Sequence, residues 1–171
     1  MMEYRHLERI QSLMSIKSTT SYTTGHSTSK HRTDYQNAAA AMAMIKDRCE
    51  AGVWLVADVY CVECKSNYLT LRHELHKSMI RLLKKDSRKL DYALCIVDIG
   101  MGQVYGGKFK TLEECAKLLG MSRQSYSEAW RKYVDNVAEL LRRNLFDADI
   151  VAGDYFYAER VSLDKPALNM L

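Results

Sequence analysis

The chain has 171 residues, a single proline, 47% hydrophobic residues and a formal charge of +4 from 25 Lys and Arg against 21 Asp and Glu. That length buries enough apolar surface for an ordinary domain without disulfides, and so mild a charge excess excludes a nucleic-acid packaging protein and leaves only the distribution of charge informative. Abundant Ala, Leu, Met, Lys and Glu lose little rotamer freedom in a helix and predict a mainly α protein, a helical bundle.

Met1-Met2-Glu3-Tyr4-Arg5-His6 carries charges where an export signal needs an apolar run, and no apolar stretch reaches membrane-spanning length, so a cytoplasmic protein without membrane contact is expected. Five cysteines, an odd number, fit free thiols in a reducing compartment. Residues 3–16 set Tyr4, Leu7, Ile10, Leu13 and Met14 on one face of a short amphipathic helix that needs a partner. Residues 18–33 are rich in Ser and Thr, with Gly25, Lys30 and Arg32. They read as a linker, or as a basic arm that orders on nucleic acid. Thr33-Asp34 caps a helix from Tyr35 to about Glu50, whose small face is Ala38, Ala39, Ala40 and Ala41 with Met42, Met44 and Ile45, and Gly52 ends it.

The β-branched and aromatic run Val53-Trp54-Leu55-Val56-Ala57-Asp58-Val59-Tyr60 fits a short β element near 53–62 or a buried helix, and both stay open. Leu69, Arg72, Leu75, Met79, Leu82 and Leu83 predict a long helix. Around it eight basic residues, Lys65, Arg72, Lys77, Arg81, Lys84, Lys85, Arg88 and Lys89, stand against Glu74 and Asp86, as either a solvated face or a phosphate-facing surface. Asp86-Ser87 breaks that helix and caps another with Leu90, Ala93, Leu94 and Val97 inward. It is expected to stop at Gly100-Met101-Gly102, where a loop containing Gly106 and Gly107 leads to Thr111.

From 111 to about 132 the pattern is that of a helix-turn-helix. Thr111 and Glu114 form a capping box. Leu112, Cys115, Ala116 and Leu119 make the inward face, with Ala116 small enough for a second helix to cross closely. Gly120 supplies a positive φ, and Ser122 caps the second helix, with Tyr126 and Ala129 inward and Trp130 and Tyr133 nearby. Arg123, Gln124, Ser127, Glu128 and Arg131 are left to solvent. Arg bonds guanine bidentately and Gln adenine, so Arg123 and Gln124 are the expected base contacts in double-stranded DNA. Ser122, Ser127, Arg131, Lys132 and Thr111, with Lys108 and Lys110, are expected at phosphates. The competing reading is a helical hairpin that completes a core or binds a protein, an adaptor without DNA contact.

The run KKDSRKLDYALCIVDI, a loop, and then TLEECAKLLGMSRQSYSEAWRK resembles the DNA-binding region of sigma factors and of bacteriophage Q-type antitermination or late-gene activator proteins. The likeness covers about a third of the chain. The loop GMGQVYGG is longer than the sigma pattern, and nothing before Lys65 matches a sigma domain, which argues against a complete sigma factor. The resemblance implies a regulator that engages a late promoter together with host RNA polymerase, with Ser122, Arg123, Gln124 and Arg131 at the recognition positions.

Cys61, Cys64, His73 and His76 are the candidate set for a tetrahedral zinc site, with Cys49 as a substitute ligand. The competing reading packs the cysteines as small apolar groups, leaves the histidines on the basic face and needs no cofactor. Cys95 and Cys115 read as core. No phosphate-binding glycine loop or catalytic constellation is evident, so a non-enzyme is expected. The expected division is an N-terminal helix and linker at 1–34, a DNA-binding core at 35–146 and a tail at 147–171. In the tail Tyr155, Phe156, Tyr157 and Val161 are expected to be buried more readily than exposed, and Pro166 falls in an irregular end.

Overall fold

Alternation of apolar residues at three- and four-residue steps decides most of this architecture, which a computed structural model describes for residues 4–15, 34–84, 90–106 and 111–163. The elements are α1 (Arg5–Ser15), α2 (Asp34–Arg48), α3 (Ala51–Val62), α4 (Lys65–Leu83), α5 (Ala93–Tyr105), α6 (Leu112–Leu118) and α7 (Arg123–Ser125). The last runs through a π-helical turn, Tyr126–Trp130, into the long α8 (Arg131–Leu163). No strand occurs among the described residues, so the chain is a mainly α helical bundle. The linker at 18–33, the break at Asp86-Ser87, the residues Lys85, Arg88, Lys89, Gly107, Lys108 and Lys110, and Pro166 lie outside the described residues.

The chain folds as two compact units, Met1–Glu63 with Asn144–Leu171, and Cys64–Arg143, which differs from a division at 34 and 146. In the first, Tyr4, Leu7 and Ile10 of α1 are buried, so the amphipathic face has its partners, the small side of α2 and the apolar side of α3. The side chain of Asp149 on α8 accepts from the backbone N–H groups of His6 and Leu7 at 2.8 Å each, satisfying orphan donors at the start of α1. Gln11 donates to the carbonyl of Tyr60 at 3.2 Å, near the end of α3. The 53–62 run is therefore helix and not strand: Val56, Ala57, Val59 and Cys61 are buried, and tertiary burial outweighs the β preference of its branched residues. Gly52 lies inside the first turn of α3, since α2 already ends at Arg48.

The aromatic stretch of the expected tail is also helical, and its three rings part company. Phe156 is buried, with the Arg9 guanidinium 4.1 Å from its ring centroid, Tyr155 is half-buried, and Tyr157 is exposed.

In the second unit α4 buries Leu71, Leu75, Met79 and Leu83, while Leu69 and Leu82 are exposed. The buried stripe thus runs through Leu71 in place of Leu69. Arg72 forms a two-bonded pair with Asp98 of α5 at 2.5 and 2.7 Å, and this hydrogen bonding raises the guanidinium's already high pKa. Helix α5 continues through Gly100-Met101-Gly102 instead of stopping there, with Gly100 buried against Val137 of α8. A β-carbon at that position would come within 2.6 Å of the Val137 side chain, so the glycine serves close helix packing here and not a loop. Leu94, expected inward, is exposed.

Candidate nucleic-acid interface

Helix α6 starts with a complete capping box: the Thr111 N–H donates to Glu114 Oε2 at 2.7 Å, and the Glu114 N–H donates to Thr111 Oγ1 at 3.2 Å. Its end is equally specified. Gly120 takes φ +64°, the Met121 N–H reaches the Ala116 carbonyl at 3.0 Å, and the Gly120 N–H reaches that of Lys117 at 3.1 Å. Those two bonds are the Schellman pair that a left-handed residue permits. Ser122 then accepts from the Ser125 N–H at 3.1 Å and starts the next helical segment.

Cys115 and Ala116 of α6, and Leu119 at its end, are buried, as is Tyr126, which is 1% exposed. The Tyr126 hydroxyl has its pKa raised, first by burial and then by its hydrogen bond with the Cys115 thiol. This tyrosine fixes the rotation of the segment about its own axis. Ser122, Arg123, Gln124, Ser127, Glu128, Arg131 and Lys132 consequently all face solvent, and Ala129 and Trp130 are half-buried, with the Trp130 ring edge-on to Tyr92 at 4.9 Å.

Several outward groups already have partners. Gln124 donates to Glu128 at 2.9 Å, Arg131 pairs with Asp135 at 3.3 Å, and the Lys132 ammonium lies 5.0 Å from the centroid of the Tyr133 ring. Exposed pairs of this kind are worth a few tenths of a kcal/mol, about 0.3–0.5 for i,i+4 neighbours, so a phosphate or a base edge can displace them. At Thr111 the balance differs, because Glu113 and Glu114 fill the first turn of α6 and present two carboxylates to any phosphate there. On the basic α4, Lys77 is paired with Glu74 at 2.9 Å and Arg72 with Asp98, which reduces the free positive charge of that face.

Sequence reading missed a half-open cleft of about 560 Å³ behind the segment, lined among others by Gln103, Tyr126, Arg131, Asp135, Glu139 and Arg142. Its arginines face acids from their own helix, Arg131 with Asp135 and Arg142 with Glu139 at 4.0 Å. The signal available in the sequence was their i,i+3 and i,i+4 spacing, which ordinarily marks a solvated helix face.

The zinc candidates divide between the two units, Cys61 in the first and Cys64, His73 and His76 in the second. Cys61 is buried, its thiol donating to the Leu7 carbonyl at 3.6 Å, and burial, then Asp58 and Asp149, push its pKa up to about 12. Cys64 contacts Ser66 at 3.1 Å, His73 is exposed and His76 half-buried, both on α4. Among the described residues no group of three or more His, Cys, Asp or Glu is placed to hold a metal ion. Cys115 is core as expected, whereas Cys95 is half-buried with its thiol directed at the Leu118 carbonyl, 3.6 Å away. Among the same residues no helix is long and apolar enough to cross a membrane.

Comparison with protein-family models, with curated proteins and with solved structures gives no match to this chain.

Proposed function

We propose that α6, the turn at Gly120 and the segment opening at Ser122 act as a helix-turn-helix that docks in the major groove of double-stranded DNA. The protein would then regulate transcription as a phage late-gene activator or antiterminator does, together with RNA polymerase. One observation carries this reading: a segment whose rotation is fixed by buried Tyr126 leaves Arg123 and Gln124 exposed at its N-terminal end, where recognition helices approach base edges. Ser122, Ser127, Arg131 and Lys132 flank them as phosphate contacts.

The test begins with duplexes selected from a random pool by the full chain. Replacing Arg123 and Gln124 together by Ala removes two base contacts worth about 1–3 kcal/mol each. Affinity for the selected duplex is expected to fall at least about thirtyfold, with the melting temperature unchanged because both side chains are exposed. Undiminished binding refutes the assignment. Palindromic selected sites would mark a homodimer, since two-fold protein symmetry is mirrored in the site.

A protein partner is favoured by a separate observation. Phe146, Ile150 and Tyr157 of α8 are 49%, 50% and 72% exposed, and their spacing sets them on one side of the helix. Apolar side chains grouped in this way fit a protein contact better than a solvated face. RNA polymerase is the partner the resemblance implies, and the adaptor reading needs the same strip without DNA.

A further inference from the structure

Core-facing residues of an unbroken α-helix recur at three- and four-residue steps, and the first part of α8 obeys this with buried Val134, Val137, Ala138 and Leu141. Carried back two turns, the same stripe arrives at Ser127, while Tyr126 would point about 80° away from it. The molecule does the reverse: Tyr126 is buried and Ser127 is exposed. The π turn makes up the difference. The Arg131 N–H donates to the carbonyl of Tyr126, one residue further back than an α-helical bond reaches. Tyr126–Trp130 therefore holds one residue more than an α-helix would fit between the same two core anchors.

The added residue brings no buried side chain with it, for Ser127 and Glu128 are both exposed. With one outward residue removed, Tyr126 would stand two ordinary turns before Val134, in line with the stripe, and no buried side chain would be lost. Its effect is on the outward face, between Arg123 and Gln124 on one side and Arg131 and Lys132 on the other. Hydrogen-bond geometry in a π turn departs from the α optimum, and such turns recur at functional sites.

We infer that the π turn at Tyr126–Trp130 is a specificity device: it carries an added residue on the reading face and holds Ser127 and Glu128 out against the nucleic acid. This rests on the DNA-binding reading. In an unbroken α-helix of the same sequence Ser127 would lie over the core, and in one a residue shorter Tyr126 keeps its place while the outward face loses one side chain.

The experiment deletes Ser127 in one variant and Glu128 in a second, each in the full chain, and measures melting temperature and affinity for the duplex selected by the parent. The expected result is a melting temperature at or above the parent's, with at least a tenfold loss of affinity, about the contribution of one good contact. Two deletions are made so that if one unfolds the other decides. A loss smaller than tenfold in a folded variant overturns the inference, and so does a lowered melting temperature in both, which would make the turn a requirement of the core. A parent that selects no duplex at all refutes the DNA-binding reading, and the inference falls with it at that earlier step.

Discussion

Gly120 has open space around the position a β-carbon would occupy, so the cost of any side chain there comes from its φ of +64° alone. An L-residue in the left-handed region is disfavoured by about 1–2 kcal/mol, with Asn tolerated better than Ala. Gly120→Ala is expected to lower unfolding stability by about that amount in urea titration, and Gly120→Asn by clearly less; equal losses would mean that the turn depends on something other than backbone conformation. The glycine and both serine and threonine caps could be read from sequence because each acts on its immediate neighbours through a local hydrogen bond. Cys61 could not be read so directly. Its spacing to Cys64 fits a ligand pair, and only the packing of α3 shows that its thiol is turned to the Leu7 carbonyl. Asp149 was likewise silent in the sequence, because the helix it caps begins at the opposite end of the chain.

For whole elements the capping box of α6 allows a direct measurement. Thr111→Ala removes the acceptor for the Glu114 N–H and is expected to cost about 1 kcal/mol, whereas Thr111→Ser keeps the oxygen and most of the stability. Chemical denaturation of the two variants side by side checks it, and a Ser variant as unstable as Ala would show that the hydroxyl is not what holds the helix start. Amphipathic α1 was legible because its apolar residues are few and fall on one face. The 53–62 run was ambiguous for the opposite reason: apolar residues on nearly every position give no period, and burial from several sides then decides for helix. In α5 the glycines read as a stop, yet Gly100 is there to let Val137 approach. The π turn was hidden as well, since its cause is a mismatch of register between Tyr126 and Val134 that appears only when both are known to be buried.

Across the molecule the two units differ in how they use the chain, and this has a measurable consequence. The second is continuous in sequence, Cys64–Arg143, whereas the first joins Met1–Glu63 to the end of α8. Everything described for the reading segment lies within the continuous unit: the α6 cap, the Gly120 turn, Tyr126 over Cys115, and the buried positions Val134, Val137, Ala138 and Leu141. The chain's beginning, taken alone, lacks buried Ala148, Ala152 and Phe156 and the Asp149 acceptor for the first N–H groups of α1. A fragment of residues 64–143 is therefore expected to melt cooperatively by circular dichroism and to bind the selected duplex within about threefold, under 1 kcal/mol, of the full chain. A fragment of residues 1–63 is expected to show no cooperative transition until a peptide spanning 144–163 is added, because the apolar face of α1 and its orphan amides then regain their partners. If 64–143 fails to fold while the full chain does, the reading segment depends on the discontinuous unit, and substitutions at Leu7, Ile10 or Asp149 should weaken DNA binding as strongly as those at Arg123 and Gln124.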